Sequence, residues 1–224
     1  FVMGNPTGSP LARKQVGYLP ENPAFYDFLT AEEYLDFVGH SYGMPKQLLD
    51  KRKGEVLSLL ELADAANRPV RTYSKGMVQR LGLAQVLLHN PDIYILDEPM
   101  SGLDPLGRAQ VKKIILDLKQ QGKCVFFSTH ITADVESVCD RVGIILNGEL
   151  KRVDSVESIM TEEIKGYGVR VRDRDSGISV EHHIQPEQLA SFLTKQQEAG
   201  NNISLVEPHR NSLEDFFLQV VKGE

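Results

Sequence analysis

Two carboxylates, Asp97 and Glu98, follow directly on the apolar run Ile93-Tyr94-Ile95-Leu96, and Ser128, Thr129 and His130 follow the run Val125-Phe126-Phe127. Both runs are apolar throughout instead of alternating, the pattern of parallel strands buried on both faces. In an open parallel sheet, ligands gather beyond the carboxyl ends of the strands, where helix N-termini and irregular backbone converge. A carboxylate within hydrogen-bond reach of a water can serve as a general base. Taken alone, the acidic pair decides little, since a solvated strand end explains it as well. A third candidate lies upstream in Ser74-Lys75-Gly76-Met77. Ser74 is placed to cap a helix running to His89, with Met77, Leu81, Ala84 and Leu88 as one stripe and Asn90-Pro91 as its end. Gly76 would let backbone approach a ligand, and the free N–H groups with the helix dipole favour an anion. An ordinary capped core helix is the plain alternative.

The elements that must hold these residues read as an α/β chain. Asp104 as N-cap, Pro105 at the first helical position, Val111, Ile114, Ile115 and Leu118 at helical spacing and Gly122 as the stop give a clear helix between the two apolar strands. Val142 to Leu146 meets Asn147-Gly148 and returns through Glu149 to Val153 as a hairpin. Upstream, Thr30 and Glu33 form a capping box before Tyr34, Leu35, Val38 and Tyr42, and a second helix carries Val56, Leu59, Leu60 and Ala63. Residues of about 28 to 72 are thus a helical insertion. Beyond about residue 160, Val169 and Val171 alternate with arginines and Asp173 to Gly177 supplies a turn. Ile178, Val180 and Ile184 follow in a strand, then a helix from Pro186 to Ala199, a strand near Ile203 to Val206 and a last helix capped at Ser212. Residues 1–160 form the main domain on this reading and 161–224 a small α+β appendage. His182-His183 sits on a strand, where neighbours point to opposite faces, so it reads as surface and not as a metal site.

Taken in order and spacing, Tyr73-Ser74-Lys75-Gly76-Met77, Ile93 to Pro99, Ser101-Gly102-Leu103-Asp104 and Ser128-Thr129-His130 resemble the signature motif, Walker B, D-loop and switch histidine of the ATPase subunit of ABC transporters. The similarity runs from about residue 14 to 155, and the tail ending in Ser212-Leu213-Glu214-Asp215-Phe216-Phe217 is similar to the C-terminal extension of exporter-type members. The resemblance implies a P-loop NTPase-like core with the helical subdomain inserted and the α+β appendage attached. It implies ATP and Mg²⁺ as ligands, with Asp97 helping to position the metal, Glu98 orienting or deprotonating the attacking water and His130 contacting the γ-phosphate and holding Glu98 in line. Ser74, Lys75 and Gly76 would grip the γ-phosphate of a nucleotide held mainly by a second subunit, and Asp104 would touch that subunit's site, so the working form implied is a head-to-tail dimer. Lys75 and Met77 depart from the usual L-S-G-G-Q. Val16-Gly17-Tyr18-Leu19-Pro20-Glu21 resembles the Q-loop, with Glu21 where glutamine is usual, which keeps an oxygen for Mg²⁺ and adds charge.

The phosphate-cradling pattern G-x-x-x-x-G-K-[ST] does not occur in the 224 residues, and Phe1-Val2-Met3-Gly4 resembles the strand that follows that region in the family. The expectation is a partial core without its N-terminal P-loop strand, unable to bind ATP fully by itself, with a sheet edge or apolar face left exposed and poor solubility. A net charge of −6 argues against a sequence-blind nucleic-acid binder, 41% apolar residues against intrinsic disorder, and two cysteines against a disulfide framework. Apolar runs of about four residues are far short of the ~20 that span a bilayer, and no secretory signal leads the chain. The implied setting is cytoplasmic, peripheral on the cytoplasmic face of a membrane, with a polytopic membrane subunit contacting the helical region and no nucleic-acid partner. A soluble relative acting on DNA or ribosomes, and a non-hydrolysing interaction module, are the alternatives.

Overall fold

A central strand with a parallel neighbour on each side organises the first half of the chain. The computed structural model describes residues 1–160, 164–174, 176–210 and 212–222, which divide into two units, Phe1–Asp134 and Val135–Glu224. In the first unit α1 (Pro10–Lys14) leads into β1 (Val16–Leu19), and α2 (Ala31–Ser41) and α3 (Lys46–Leu59) form the helical insertion. α4 (Lys75–Leu88), β2 (Ile93–Asp97), α5 (Pro105–Gln120) and β3 (Cys124–Ser128) complete it. The sheet order is β1-β2-β3, all parallel, with Leu19, Leu96 and Phe127 in one register row and Asp97 opposite Ser128.

The face carrying Leu19, Tyr94 and Leu96 is buried, and α4 and α5 pack on β1 and β3. Gly17 is required for that packing, because a Cβ there would lie 3.0 Å from the Val86 carbonyl oxygen. The opposite face corrects the expectation of strands buried on both sides. Tyr18, Ile95 and Phe126 form one register row that is 54%, 38% and 66% exposed. Both β2 and β3 are apolar throughout, so their composition could not tell which of the two faces would stay open. Among the described residues β1 and β3 are the edges of this sheet.

Local signals shape the helices. The Thr30 hydroxyl accepts from the Glu33 amide at 3.2 Å while the Glu33 carboxylate accepts from the Thr30 amide at 2.8 Å, closing the capping box. Asp104 accepts from the Gly107 amide at 2.8 Å at the start of α5. In α3, Leu59 proves half-exposed, and the buried face runs through Leu49, Lys53, Val56 and Leu57 instead. The Lys53 ammonium meets Asp36 at 2.6 Å and Glu32 at 2.9 Å, tying α3 to α2.

Asn147 and Gly148, at φ of 53° and 79°, make the turn between β4 (Arg141–Leu146) and β5 (Glu149–Ser155) in the second unit. α6 (Thr132–Val138) runs across the boundary between units, and α7 (Val156–Ile159) follows the hairpin. β6 (Ile164–Arg172), β7 (Ser179–Ile184) and β8 (Asn202–Arg210) build an antiparallel sheet, order β7-β6-β8, with α8 (Leu189–Glu198) packed on β8, while α9 (Leu213–Lys222) packs on α7 and β4. Val169 and Val171 are buried in it, and residue 175 of the expected turn lies outside the described residues. The Ser212 hydroxyl caps α9 by accepting from the Asp215 amide at 3.1 Å. No described helix is long and apolar enough to cross a membrane.

At the end of α4 the His89 ring stacks on Tyr42, centroids 3.8 Å apart, and lines a cavity of about 330 Å³ with Arg13, Tyr18 and Gln85. Neither ring nitrogen has a partner at hydrogen-bonding geometry, and burial pushes the pKa down to about 4 against a weaker upward pull from the Val16 backbone. The unfolded chain therefore takes a proton at the ordinary value of 6.5 that the folded chain refuses until about pH 4. This group's stability contribution is complete above pH 6.5 and is lost as the pH falls toward 4. His89→Phe, which keeps the stack, is expected to flatten the urea midpoint between those two pH values relative to the unaltered protein. Parallel curves through that window would exclude His89 as the titrating group.

Candidate functional site

Parallel pairing in register brings three strand ends to one rim, so that Pro20-Glu21, Asp97-Glu98 and Thr129-His130 leave the sheet on the same side. There a single hydroxyl joins two of the candidates. Ser128 Oγ donates to Asp97 Oδ1 at 2.5 Å and accepts from the Glu98 amide at 3.0 Å. Glu98 stands at φ 45°, in the left-handed region that side chains with a Cβ avoid. That turn carries its carboxylate to His130, Oε1 lying 2.8 Å from Nδ1. The Glu98 side chain is 22% exposed and the His130 side chain 78%, so the pair opens to solvent on the imidazole side. The Thr129 hydroxyl accepts from the Ile131 amide at 3.2 Å, turning the chain into α6. Asp134, 2% exposed, meets Arg108 at 2.7 Å and Lys112 at 2.8 Å, both on α5.

A second cluster forms at the N-termini of α4 and α5. Ser74 Oγ accepts from the Met77 amide at 3.3 Å, the cap expected of it. Gly102, at φ 72°, lies under the Lys75 stem, and a Cβ on Gly76 would stand 3.3 Å from the Gly102 carbonyl. The segment from Ser101 to Asp104 is thus packed on the start of α4. Arg80 completes the contact, 3.8 Å from Asp104 and 2.5 Å from Glu61.

Of the candidates, then, the rim gathers Asp97, Glu98 and His130, while Ser74, Lys75, Gly76 and Asp104 form a neighbourhood of their own. Among the described residues no hydrogen bond or ion pair joins Ser74, Lys75 or Asp104 directly to the three at the rim. Glu21 is exposed beyond β1, likewise without a described hydrogen bond to Asp97 or Glu98. Two functional neighbours escaped the sequence reading. Ser128 stood within a motif, but its shared hydroxyl depends on the β2–β3 register. Gln79 is buried and reaches the rim from α4. A signal for it existed, since Gln79, Leu83 and Val86 fall at i, i+4 and i+7 as a second buried stripe of the same helix.

Comparison with known proteins places the chain in a family. The ABC transporter family profile matches residues 3–101. An ABC transporter ATP-binding protein of Synechocystis is 49% identical over 75% of this chain and 48% of its own length. One from Nostoc is 36% identical over the whole chain and 71% of its own length, and one from Bacillus subtilis 37% identical over 94% and 77%. Among solved structures, the ATP-binding subunit of an ABC transporter superposes with a TM-score of 0.64 at 33% identity, covering 68% of this chain and 63% of that one. A dimeric ATP-binding cassette in a post-hydrolysis state, bound to ADP and Pi, gives 0.60 at 25% identity over 66% of each. The fold is that of an ABC ATPase core. The chain belongs to the ABC transporter ATP-binding protein family.

The strained turn at Glu98 has a thermodynamic signature. A non-glycine residue in the left-handed region costs on the order of 1–2 kcal/mol, and the exposed pair with His130 recovers little of that. Glu98→Gly is therefore expected to raise the unfolding free energy by about 1 kcal/mol in urea titrations, whereas Glu98→Gln, which keeps the Cβ, leaves it unchanged. A destabilised Glu98→Gly protein would show that the turn is not strained.

Proposed function

We propose that the chain is the ATP-hydrolysing subunit of an ABC transporter and that hydrolysis takes place at the rim formed by Asp97, Glu98 and His130. The observation that carries the proposal is the Glu98–His130 pair at 2.8 Å beside a carboxylate held by Ser128. Among the described residues no three or more His, Cys, Asp or Glu side chains cluster to hold a metal by themselves. That donor set suits Mg²⁺, which takes one or two carboxylates and completes its shell with water and phosphate oxygens. Asp97, helped by Glu21, would hold the ion, which when bound offsets phosphate charge. Glu98 offers its carboxylate as the base that takes a proton from the attacking water, with His130 keeping one carboxylate oxygen fixed. Ser74, Lys75 and Gly76 would present the N-terminus of α4 to the γ-phosphate of a nucleotide on a second subunit, with Asp104 at the same junction. This is the head-to-tail dimer.

An exposed aromatic patch supports a partner on the helical insertion. Tyr26 packs against Phe28 and Phe37 with ring centroids 6.0 and 5.8 Å away, and all three are more than half exposed. Such a patch, a few residues beyond Glu21 in the chain, fits a cytoplasmic loop of a membrane subunit. On this reading the protein works at the cytoplasmic face of a membrane.

Glu98→Gln in the ATPase assembled with its membrane partner is expected to lower ATP turnover by roughly 10²–10⁴-fold while Mg-ATP still binds; undiminished turnover would overturn the base role. Phe37→Asp is expected to abolish co-purification with the membrane subunit and leave the intrinsic ATPase rate within about twofold, because among the described residues no hydrogen bond or ring contact joins Phe37 to Asp97, Glu98 or His130. Retained co-purification would remove the patch from the interface.

A further inference from the structure

Gln79 lies in the second turn of α4, 3% exposed, and its Nε2 stands 3.2 Å from the Glu98 carbonyl and 3.2 Å from the Pro99 carbonyl. A side-chain amide nitrogen carries two donors, so both carbonyls can be served at once. The Ser101 amide also donates to the Glu98 carbonyl at 3.0 Å, while the Glu98 amide is engaged by Ser128. Glu98 is thereby held at its amide and at its carbonyl, and the left-handed φ of 45° between them is what carries the carboxylate to His130. Of these restraints, Ser128 comes from the neighbouring strand and Ser101 from the same loop. Gln79 adds a helix to these, the one whose first residues are Lys75 and Gly76.

We infer that Gln79 is a positioning residue for the hydrolytic base: by gripping two successive carbonyls it fixes the turn at Glu98 and makes that turn follow the position of α4. The inference rests on the proposed function. If the N-terminus of α4 meets a nucleotide on a second subunit, the same helix sets the base for the nucleotide of its own chain. Communication between two such sites needs no longer path than the first turns of one helix.

The test is Gln79→Met, nearly isosteric and without a donor, in the ATPase assembled with its membrane partner. The expected result is a kcat at least tenfold lower with KM for ATP within twofold, together with faster hydrogen exchange in residues 97–103 and unchanged exchange along α4. Should that variant fail to fold, Gln79→Asn carries the same expectations, since it keeps an amide in the cavity but loses the reach to both carbonyls. A kcat within twofold of the unaltered protein, a loss confined to KM, or exchange that quickens along α4 as much as in the loop would each overturn the inference. Glu98→Gln measured alongside separates the two levels. If it stays active, the reading of the rim fails. If it is inactive while Gln79→Met keeps full kcat, only the positioning role fails.

Discussion

Parallel pairing of β2 with both neighbours is the constraint on which the rest depends. A parallel ladder places the carboxyl ends of its strands together, and the row Leu19, Leu96, Phe127 sets that end within one residue. Every rim residue is then a short, defined number of positions past a buried apolar one. A slip by one residue in β2 would exchange the buried Tyr94 and Leu96 for Ile95 and the charged Asp97, and would reverse the aim of the carboxylates. The apolar burial that pins the register is therefore also what places the chemistry.

Register alone does not aim a side chain, and at Glu98 the local backbone opposes the aim that the site needs. The structure answers by surrounding one strained residue with hydrogen bonds from β3, from α4 and from its own loop. Strain of this kind persists only where its surroundings over-determine it. The same reasoning explains why Ser128 serves two masters. Its hydroxyl accepts from one backbone amide and donates to one carboxylate, so Asp97 and Glu98 are positioned by a single rotor. Freedom in either is removed by ordering one side chain instead of two.

Much of this was legible in the sequence where the signal is local. The capping box at Thr30 and Glu33, the Asp104 cap with Pro105, the Asn147-Gly148 turn and the Ser74 cap all involve residues within four positions of one another. Motif order was enough to indicate that Asp97, Glu98 and His130 belong together. What stayed hidden were contacts between elements far apart in sequence. Gln79 to Glu98 spans 19 residues and Lys53 to Asp36 ties two helices through a side chain that composition would place in solvent. Which face would stay open, that of Tyr18, Ile95 and Phe126, was equally invisible, because a strand apolar on both faces gives no sign of the side that is covered.

Buried charge plays a different part from buried apolar surface here. Asp134 is almost wholly withdrawn from water, and its two cations, Arg108 and Lys112, stand one turn apart on α5. Withdrawing one charge almost fully and two in part gains little net stability, since desolvation consumes most of the attraction. Breaking the set is another matter, because it would strand a carboxylate in the interior. The arrangement therefore acts on geometry more than on stability. It fixes the start of α6, and with it the segment that begins at His130, against the helix that Asp104 caps. Gln79 fixes Glu98 against α4, and Arg80 on the next position of α4 faces Asp104. Glu98, the segment from His130 and the two helix N-termini are thus referred to one another by polar side chains lying between elements, each of which tolerates only a narrow range of positions. A displacement at either helix start must then be felt at the rim, because none of these groups can keep its partners while its element moves alone.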